Sequence, residues 1–380
     1  MSARGAIRRA VAALATVAAA GACLVVAAWL FTRLVSDRLA ALQVAAWVPS
    51  LAFLGAGAAL LAGAGLLAWL HGRGATGGTP VPLQRGRVRP ARGLRRVALA
   101  GLAVVGAYAA WSELRLWNAV WPPAPAPPGK GIRLVNWNLN IMGDEAAIGR
   151  AVGSQSPGVA VLVNGSMRLR WAEVVGSLGL PHRAGPLNMM VVASRWPVLR
   201  YGGCHLGVPP PDESRGVHRD PGRAMYVELD TTGPLGRPIV VWVIDLPSDE
   251  RLGRWAVAGR ARAVIESWRG PELRADGAGG FAPGPFPGAF PAPDVIVGDF
   301  NIPRGSASLS LLTTVGGTGA LPNAFDAAGW GYCATYPRER PLVHIDQAFA
   351  GRGVRATAYE TVDLGMGRHR AQVVDLAPAR

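Results

Sequence analysis

Two long uncharged stretches near the N-terminus constrain the fold of this chain more than any other feature. Residues 10–31 and residues 44–70 contain no charged side chain over 22 and 27 positions. A helix needs about 20 apolar residues to cross the hydrocarbon core of a bilayer. A cleaved signal peptide would have a shorter apolar core and no second apolar stretch close behind it. Both stretches are therefore predicted to be transmembrane helices.

A third apolar stretch is shorter. Residues 97–111 are uncharged over 15 positions before Ser112 and Glu113 follow. This is marginal for a crossing, so a span of about 97–117 would need Leu114, Leu116 and the nearby tryptophans to complete it. The sequence predicts a membrane anchor over residues 1–121 with two or three transmembrane helices.

The net charge is unevenly distributed. Residues 1–96 contain 12 arginines and one acid, which gives +11 of the formal +15, and the rest of the chain carries only +4. Arginines that flank apolar helices set orientation, which argues against nucleic acid as the primary partner. Their positions predict a cytoplasmic N-terminus. Three crossings then place the C-terminal domain outside the cell membrane, whereas two crossings would leave it in the cytoplasm; we expect the extracytoplasmic arrangement.

A proline-rich segment separates the anchor from the rest of the chain. Residues 122–130 contain five prolines, and such a segment forms an extended, semi-rigid spacer that would hold the next domain off the membrane. In residues 131–380, short β-rich stretches alternate with helical patterns, which is typical of an α/β domain. Residues 270–293 are rich in glycine and proline and are predicted to be a surface loop.

Polar residues follow several predicted strands of this domain. Asp299 and Asn301 end a buried apolar stretch, Asn138 ends an earlier one, Asp346 lies in a later predicted strand over residues 344–348, and His369 lies near the C-terminus. Because α/β proteins place their chemistry at strand ends, we expect these side chains to lie close together.

These motifs, in this order, resemble those of the endonuclease/exonuclease/phosphatase superfamily of deoxyribonuclease-like, metal-dependent phosphodiesterases. The matching segments are Leu134 to Asn138, the turn Ser194 to Pro197, Gly298 to Asn301, Thr335 to Pro337, and His344 to Asp346. The resemblance implies a four-layer α/β sandwich of two packed sheets flanked by helices. It also implies that Asp299 orients or deprotonates the attacking water, that Asn138 and Asn301 contact the substrate phosphate, and that Asp346 pairs with a catalytic His369.

Three positions depart from the pattern of that family. Asn164 stands where a metal-binding glutamate is usual, Asp245 where a histidine is common, and Arg368 where an aspartate precedes the final histidine. The site is therefore less anionic by about two charges. Three outcomes follow: Asp245 and Asp299 could hold a metal in a rearranged site, with Asn164 as a further candidate ligand; Arg368 could bind the substrate phosphate in place of a metal; or the site could be inactive.

Two functions are consistent with the sequence. The first is a membrane-anchored phosphodiesterase or phosphatase that uses Mg²⁺ or Mn²⁺ and acts on a lipid-linked or envelope-associated phosphate ester. The alternative is a catalytically inactive protein of the same fold, without a metal, that binds anions or another protein. The substitutions at Asn164 and Arg368 distinguish the two hypotheses.

Overall fold

The computed structural model describes residues 3–73, 89–140, 144–166, 168–207, 221–286, 288–315 and 319–379. The chain forms two compact units. One unit comprises Met1–Ser36 and Val44–Leu114, and the other comprises Asp37–Gln43 and Arg115–Arg380. The short segment that follows the first apolar helix therefore belongs to the same unit as the C-terminal domain.

The first unit is helical. Its elements are α1 (Ala3–Val35), α2 (Gln43–Trp47, whose first residue belongs to the other unit), α3 (Ser50–Arg73) and α4 (Arg89–Tyr108), with a π-helical turn at Ala109–Glu113. Three helical stretches are long and apolar enough to cross a membrane: Arg9–Arg38, Ser50–Trp69 and Arg92–Glu113. The third has 22 residues, which corresponds to about 33 Å of helix. It is longer than the uncharged count indicated because the helix includes the preceding arginines.

The second unit is built from two mixed sheets. Its strands are β1 (Ile132–Asn138), β2 (Val159–Val163), β3 (His182–Leu187), β4 (Met190–Ser194), β5 (Val198–His205), β6 (Arg223–Leu229), β7 (Ile239–Asp245), β8 (Leu273–Ala275), β9 (Phe281–Pro283), β10 (Val295–Asp299), β11 (Asp346–Ala350), β12 (Val354–Val362) and β13 (Ala371–Pro378). The first sheet has the order β12-β13-β1-β2-β4-β3, and the second β11-β10-β7-β6-β5-β8-β9. In each sheet one central pair is parallel, β1 with β2 and β7 with β10.

Helices cover the outer faces of both sheets. The helices of this unit are α5 (Leu116–Val120), α6 (Glu145–Gly153), α7 (Trp171–Leu178), α8 (Thr232–Leu235), α9 (Arg254–Glu266), α10 (Leu309–Thr313) and α11 (Ala324–Ala328). One apolar core fills the space between the sheets, a second packs α6 and α7 on the first sheet, and a third packs α9 and α10 on the second. All seven residues of β7 are buried, as expected for a strand covered on both faces. The predicted four-layer α/β sandwich is confirmed.

Two segments differ from the sequence-based expectation. Residues 270–293 were expected to form a loop, but β8 and β9 lie within them and extend the second sheet. The proline-rich segment was expected to be a spacer, but it lies against the domain, where Arg355 Nη1 donates a hydrogen bond to the carbonyl oxygen of Ala124 at 2.8 Å. Proline has no backbone N–H group, so the carbonyl oxygens of a proline-rich segment need donors from elsewhere, and here Arg355 supplies one.

Gly298 precedes the last residue of β10 and has a backbone angle φ of +138°. A Cβ atom there would lie 1.9 Å from the carbonyl oxygen of Ile244 on the neighbouring strand β7. Only glycine permits this close parallel pairing.

We predict that Gly298→Ala lowers the free energy of unfolding of the domain by about 2–6 kcal/mol, because overpacking and backbone strain add. Urea denaturation followed by tryptophan fluorescence measures this. Gly233→Ala is the control, since its Cβ would meet nothing within 4 Å. Equal midpoints for the two variants would contradict the prediction.

Candidate active site

Three aspartates lie side by side at one edge of the second sheet. Asp299 ends β10, and it is in register with Asp245 of the parallel strand β7 and with Asp346 of the antiparallel strand β11. Residues in register on neighbouring strands point to the same face of a sheet. All three are almost completely buried. We call this edge, with the loops that extend from it, the site edge.

The first sheet contributes an asparagine to the same place. Asn138 ends β1, and its Nδ2 donates a hydrogen bond to Asp299 Oδ2 at 2.6 Å. The other oxygen, Asp299 Oδ1, accepts from the backbone N–H of Asn301 at 2.8 Å. The side-chain amide of Asn301 donates to the carbonyl oxygen of Leu246 at 2.7 Å. Asp299 is therefore held from both sheets and from its own following turn.

His369 lies between two of the aspartates. Its Nδ1 is 2.9 Å from Asp346 Oδ2, and its Nε2 is 3.9 Å from Asp299 Oδ2. Thr335 fixes Asp346 by accepting a hydrogen bond from its backbone N–H at 3.2 Å. The tilted ring of Tyr336 covers His369, with 4.9 Å between ring centroids. The structure thus brings Asn138, Asp299, Asn301, Asp346 and His369 together.

Burial and mutual charge shift the ionisation of this group. Burial, followed by the nearby charge of Asp346, raises the pKa of Asp299 to about 7. Burial lowers the pKa of His369, but the carboxylate of Asp346 and then that of Asp299 outweigh it and raise the pKa to about 9. His369 is therefore an imidazolium at neutral pH, whereas Asp299 is only partly ionised there.

The three substituted positions behave differently from one another. Asp245 forms a buried ion pair with Arg223, whose Nη1 lies 2.8 Å from Asp245 Oδ2. Asn164 is half-buried just after β2, with a positive φ of 54°. Arg368 is exposed and donates to Tyr336 Oη at 3.1 Å. Their roles in binding metal or substrate stay predictions.

Sequence reasoning missed two residues of this region. Arg223 is in register with Asp245 across the antiparallel pair β6 and β7, and this pairing is visible only once the register of the two strands is known. Gln372 of β13 had no recognisable signal. Its Nε2 donates to the backbone oxygen of Asp346 at 2.8 Å, and its Oε1 accepts from Asn136 at 2.7 Å. This buried link joins the first sheet to the strand that carries Asp346.

The buried group fits a divalent cation. Asp299, Asp346 and His369 each offer one ligand atom, and these atoms lie within 4.8 Å of one another. Among the hydrogen bonds of the described residues, Asp346 Oδ1 is buried without a partner. Carboxylate oxygens are the ligands that Mg²⁺ and Mn²⁺ prefer. Protonation of His369 supplies a positive charge at the same position, so the proton and a divalent metal ion compete for this site.

Comparison with known proteins identifies the family. The family model described as "Endonuclease/Exonuclease/phosphatase family" matches residues 102–369, more than half of the chain. The chain belongs to the endonuclease/exonuclease/phosphatase family. Members of this family are phosphoric-ester hydrolases, which is consistent with a hydrolase fold here. None of the curated proteins matches the chain.

Solved structures of the endonuclease/exonuclease/phosphatase family resemble the fold. A family protein from Beutenbergia cavernae is 17% identical, with a TM-score of 0.44 and coverage of 66% of this chain and 72% of that one. One from Bacteroides vulgatus is 14% identical, with a TM-score of 0.44 and coverage of 66% and 100%. ANGEL2, a 2',3'-cyclic phosphatase, is 13% identical, with a TM-score of 0.40 and coverage of 67% and 97%. Similarity of this degree concerns the fold alone.

We predict that Mn²⁺ raises the thermal unfolding midpoint more strongly as pH increases from 6 to 9. A metal needs neutral His369 and ionised Asp299, so binding below their pKa values of about 9 and about 7 releases protons. The affinity for Mn²⁺ therefore falls by about tenfold for each unit by which the pH is lowered, for each proton that the metal displaces. Differential scanning fluorimetry of the full chain in detergent, with and without Mn²⁺, measures the shift.

Two variants control this experiment. Asp346→Asn should abolish the Mn²⁺-dependent shift, because it removes the charge of the carboxylate whose Oδ1 is buried without a hydrogen-bond partner. Asp294→Asn is the matched control, since Asp294 is equally buried at the opposite end of β10 and pairs with Arg237. A Mn²⁺ shift that is the same at pH 6 and pH 9, or that survives Asp346→Asn, would contradict the assignment.

Proposed function

We propose that this chain is a membrane-anchored phosphoric-ester hydrolase of the phosphodiesterase or phosphatase type. The observation that carries the proposal is the continuous set of contacts from Asn138 through Asp299 and His369 to Asp346, which joins both sheets at one buried point. A carboxylate with a near-neutral pKa beside an imidazolium is suited to acid–base chemistry.

Each residue has a role in this proposal. Asp299, held by Asn138, accepts the proton of the attacking water once it is ionised. Without a bound metal, His369 is cationic below pH 9, so it stabilises charge on the phosphoryl oxygens and donates a proton to the leaving group. A bound metal would replace that proton and supply the positive charge in its place. Asp346 orients the imidazole and maintains its charge. Asn138, Asn301 and the exposed guanidinium of Arg368 contact the phosphate.

A divalent ion, Mg²⁺ or Mn²⁺, would offset phosphate charge and promote ionisation of water when bound. Asp346, Asp299 and His369 are the residues that fit it best, and Asn164 is a secondary candidate. Asp245 is a weaker candidate than the sequence indicated, because its carboxylate is already compensated by Arg223. Burying a second cation beside that ion pair would cost desolvation energy without an unpaired anion to offset it.

The second candidate function is an inactive protein of the same fold that binds anions or a protein partner. The buried pair of Arg223 and Asp245 favours it, together with the uncharged Asn164, because both leave fewer carboxylates available for a metal. The two functions differ in whether the site turns over a substrate.

We expect the full chain, with Mg²⁺ or Mn²⁺, to hydrolyse an aryl phosphodiester or an aryl phosphate. Asp299→Asn should reduce kcat/KM by about 10²–10⁴-fold, because it removes the general base. Asp294→Asn should leave kcat/KM within about twofold, because Asp294 lies at the opposite end of β10. It is the control for loss of activity through general destabilisation. Absence of turnover with both substrates and both metals would instead support the inactive alternative.

The segment Asp37–Gln43 supports an extracytoplasmic location. This segment follows the first apolar helix in the chain. It nevertheless belongs to the same unit as the C-terminal domain, which follows the third apolar helix. Asp37 accepts a hydrogen bond from the backbone N–H of Ser308 at 3.1 Å, and Gln43 Oε1 accepts from that of Arg254 at 3.0 Å. Both pieces must then lie on one side of the membrane. This favours three crossings, and the arginine distribution makes that side the outside.

A cysteine introduced at the exposed residue Asp276 should react with a membrane-impermeant maleimide in intact cells. The background has serine at Cys23, Cys204 and Cys333, so that only the new thiol is labelled. The same background with a cysteine at Ser2, ahead of the first apolar helix, should react only after lysis. The reverse labelling pattern would place the domain in the cytoplasm.

A further inference from the structure

Both segments that join the domain to the apolar helices bind loops of the site edge. Arg254, whose backbone N–H donates to Gln43, begins α9 directly after the loop that follows β7 and Asp245. Gln43 Nε2 also donates a hydrogen bond to the carbonyl oxygen of Leu252 in that loop, at 3.2 Å. Ser308, the partner of Asp37, ends the loop that follows Asp299 and β10. The first joining segment, Asp37–Gln43, is thus bound to the ends of the two loops that follow Asp245 and Asp299.

The second joining segment, residues 115–121, reaches the same edge by a different route. Arg115 forms an ion pair with Asp326 at 2.9 Å, and Asp326 also pairs with Arg304 of the loop that follows β10. The buried amide of Asn118 donates to the carbonyl oxygen of Gly329 at 2.7 Å. Gly329 begins the long loop, residues 329–345, that leads into Asp346.

Both joining segments lie close to the apolar helices along the chain. Val35 ends α1 two residues before Asp37, and Glu113 ends the third apolar stretch two residues before Arg115. Two residues span at most about 7 Å. Each joining segment is therefore tied by a very short stretch of chain to an apolar helix, while its own contacts are with loops of the C-terminal unit.

Exposed apolar side chains follow the same distribution. Among the described residues of this unit, nine large apolar side chains are exposed, and seven of them lie in the joining segments or in the loop of residues 329–345. Four belong to the joining segments: Leu39, Leu116, Val120 and Trp121. Three belong to the loop: Trp330, Tyr332 and Leu342. The other two are Trp255, in the first turn of α9, and Phe286. Tryptophan and tyrosine favour the boundary between lipid and water.

The loop of residues 329–345 connects these apolar side chains to the histidine. Backbone hydrogen bonds join Arg338 to Arg368 at 2.7 Å and Arg370 to Thr335 at 2.8 Å, so this loop is paired with the segment that carries His369. Arg340 and Arg368 are exposed beside it. Guanidinium groups among aromatic side chains match a layer of lipid phosphates.

We propose that the site edge lies on the bilayer surface and that the substrate is a phosphate ester presented by a lipid of that bilayer. Trp330 and Leu342 enter the interfacial layer, and the exposed arginines bind headgroup phosphate while the ester reaches Asp299 and His369. The inference about the substrate rests on the proposed hydrolase function, whereas the inference about the surface does not.

Activity on matched substrates tests the choice of substrate. The full chain in nanodiscs is given one fluorogenic phosphodiester headgroup in two forms, water-soluble and attached to a diacyl lipid. Trp330→Ser combined with Leu342→Ser should lower kcat/KM on the lipid form by about tenfold or more and leave the soluble form within about twofold. Phe286→Ser, an equally exposed apolar residue away from this edge, should change neither. Equal losses on both forms, or cleavage of the soluble form alone, would overturn the proposal.

A second measurement does not depend on activity. An environment-sensitive fluorophore is attached to Leu342→Cys or to Phe286→Cys, with serine at the three native cysteines, and the nanodiscs contain a lipid with a spin label near its headgroup. Quenching at position 342 but not at 286 is the expected result, and an unquenched position 342 would overturn the surface assignment. Quenching at 342 without turnover of either substrate would refute the hydrolase function while retaining the surface.

Discussion

The burial of three aspartates at one edge is the constraint on which the rest of this structure depends. A carboxylate removed from water costs several kcal/mol unless charges and hydrogen bonds offset that cost. Arg223 offsets Asp245, His369 offsets Asp346, and Asp299 accepts hydrogen bonds from Asn138 and Asn301 with His369 at 3.9 Å. Burial and the nearby charge of Asp346 outweigh these partners and raise the pKa of Asp299 to about 7, and a carboxyl group that ionises near neutrality is able to exchange a proton.

The two-sheet architecture fixes these charges without flexible supports. The donors to Asp299 come from the ends of β1 and β10, and Gln372 of β13 holds the backbone of Asp346 while it binds Asn136 of β1. Strand ends in packed sheets move little, so the groups need not reorganise when charge develops on a substrate. The asparagines and Gln372 are therefore as much part of the site as the residues that ionise.

The sequence predicted the positions of the strands that meet at the site, because buried strands with polar ends have a strong pattern. The ends of β1, β10 and β11 follow from that pattern at Asn138, Asp299 and Asp346. Arg223 was not recognised, since a partner on an adjacent strand is visible only once the register is known. The strands β8 and β9 were missed because they have three residues each in a segment rich in glycine and proline. The docking of Asp37 and Gln43 involves contacts more than 200 residues apart, which no local pattern reveals.

Those long-range contacts make the site edge depend on the joining segment. Helix α9 has Gly253 at its N-cap, which offers no side chain, and Gln43 supplies the missing acceptor to the backbone N–H of Arg254. Asp37 does the same for Ser308 ahead of α10. A buried N–H left without a partner costs about 1–3 kcal/mol, so a domain cut away at residue 130 would lose both acceptors next to β7 and β10. The loops that follow β7 and β10 therefore depend for their folding on Asp37 and Gln43, which lie in the chain between two apolar helices.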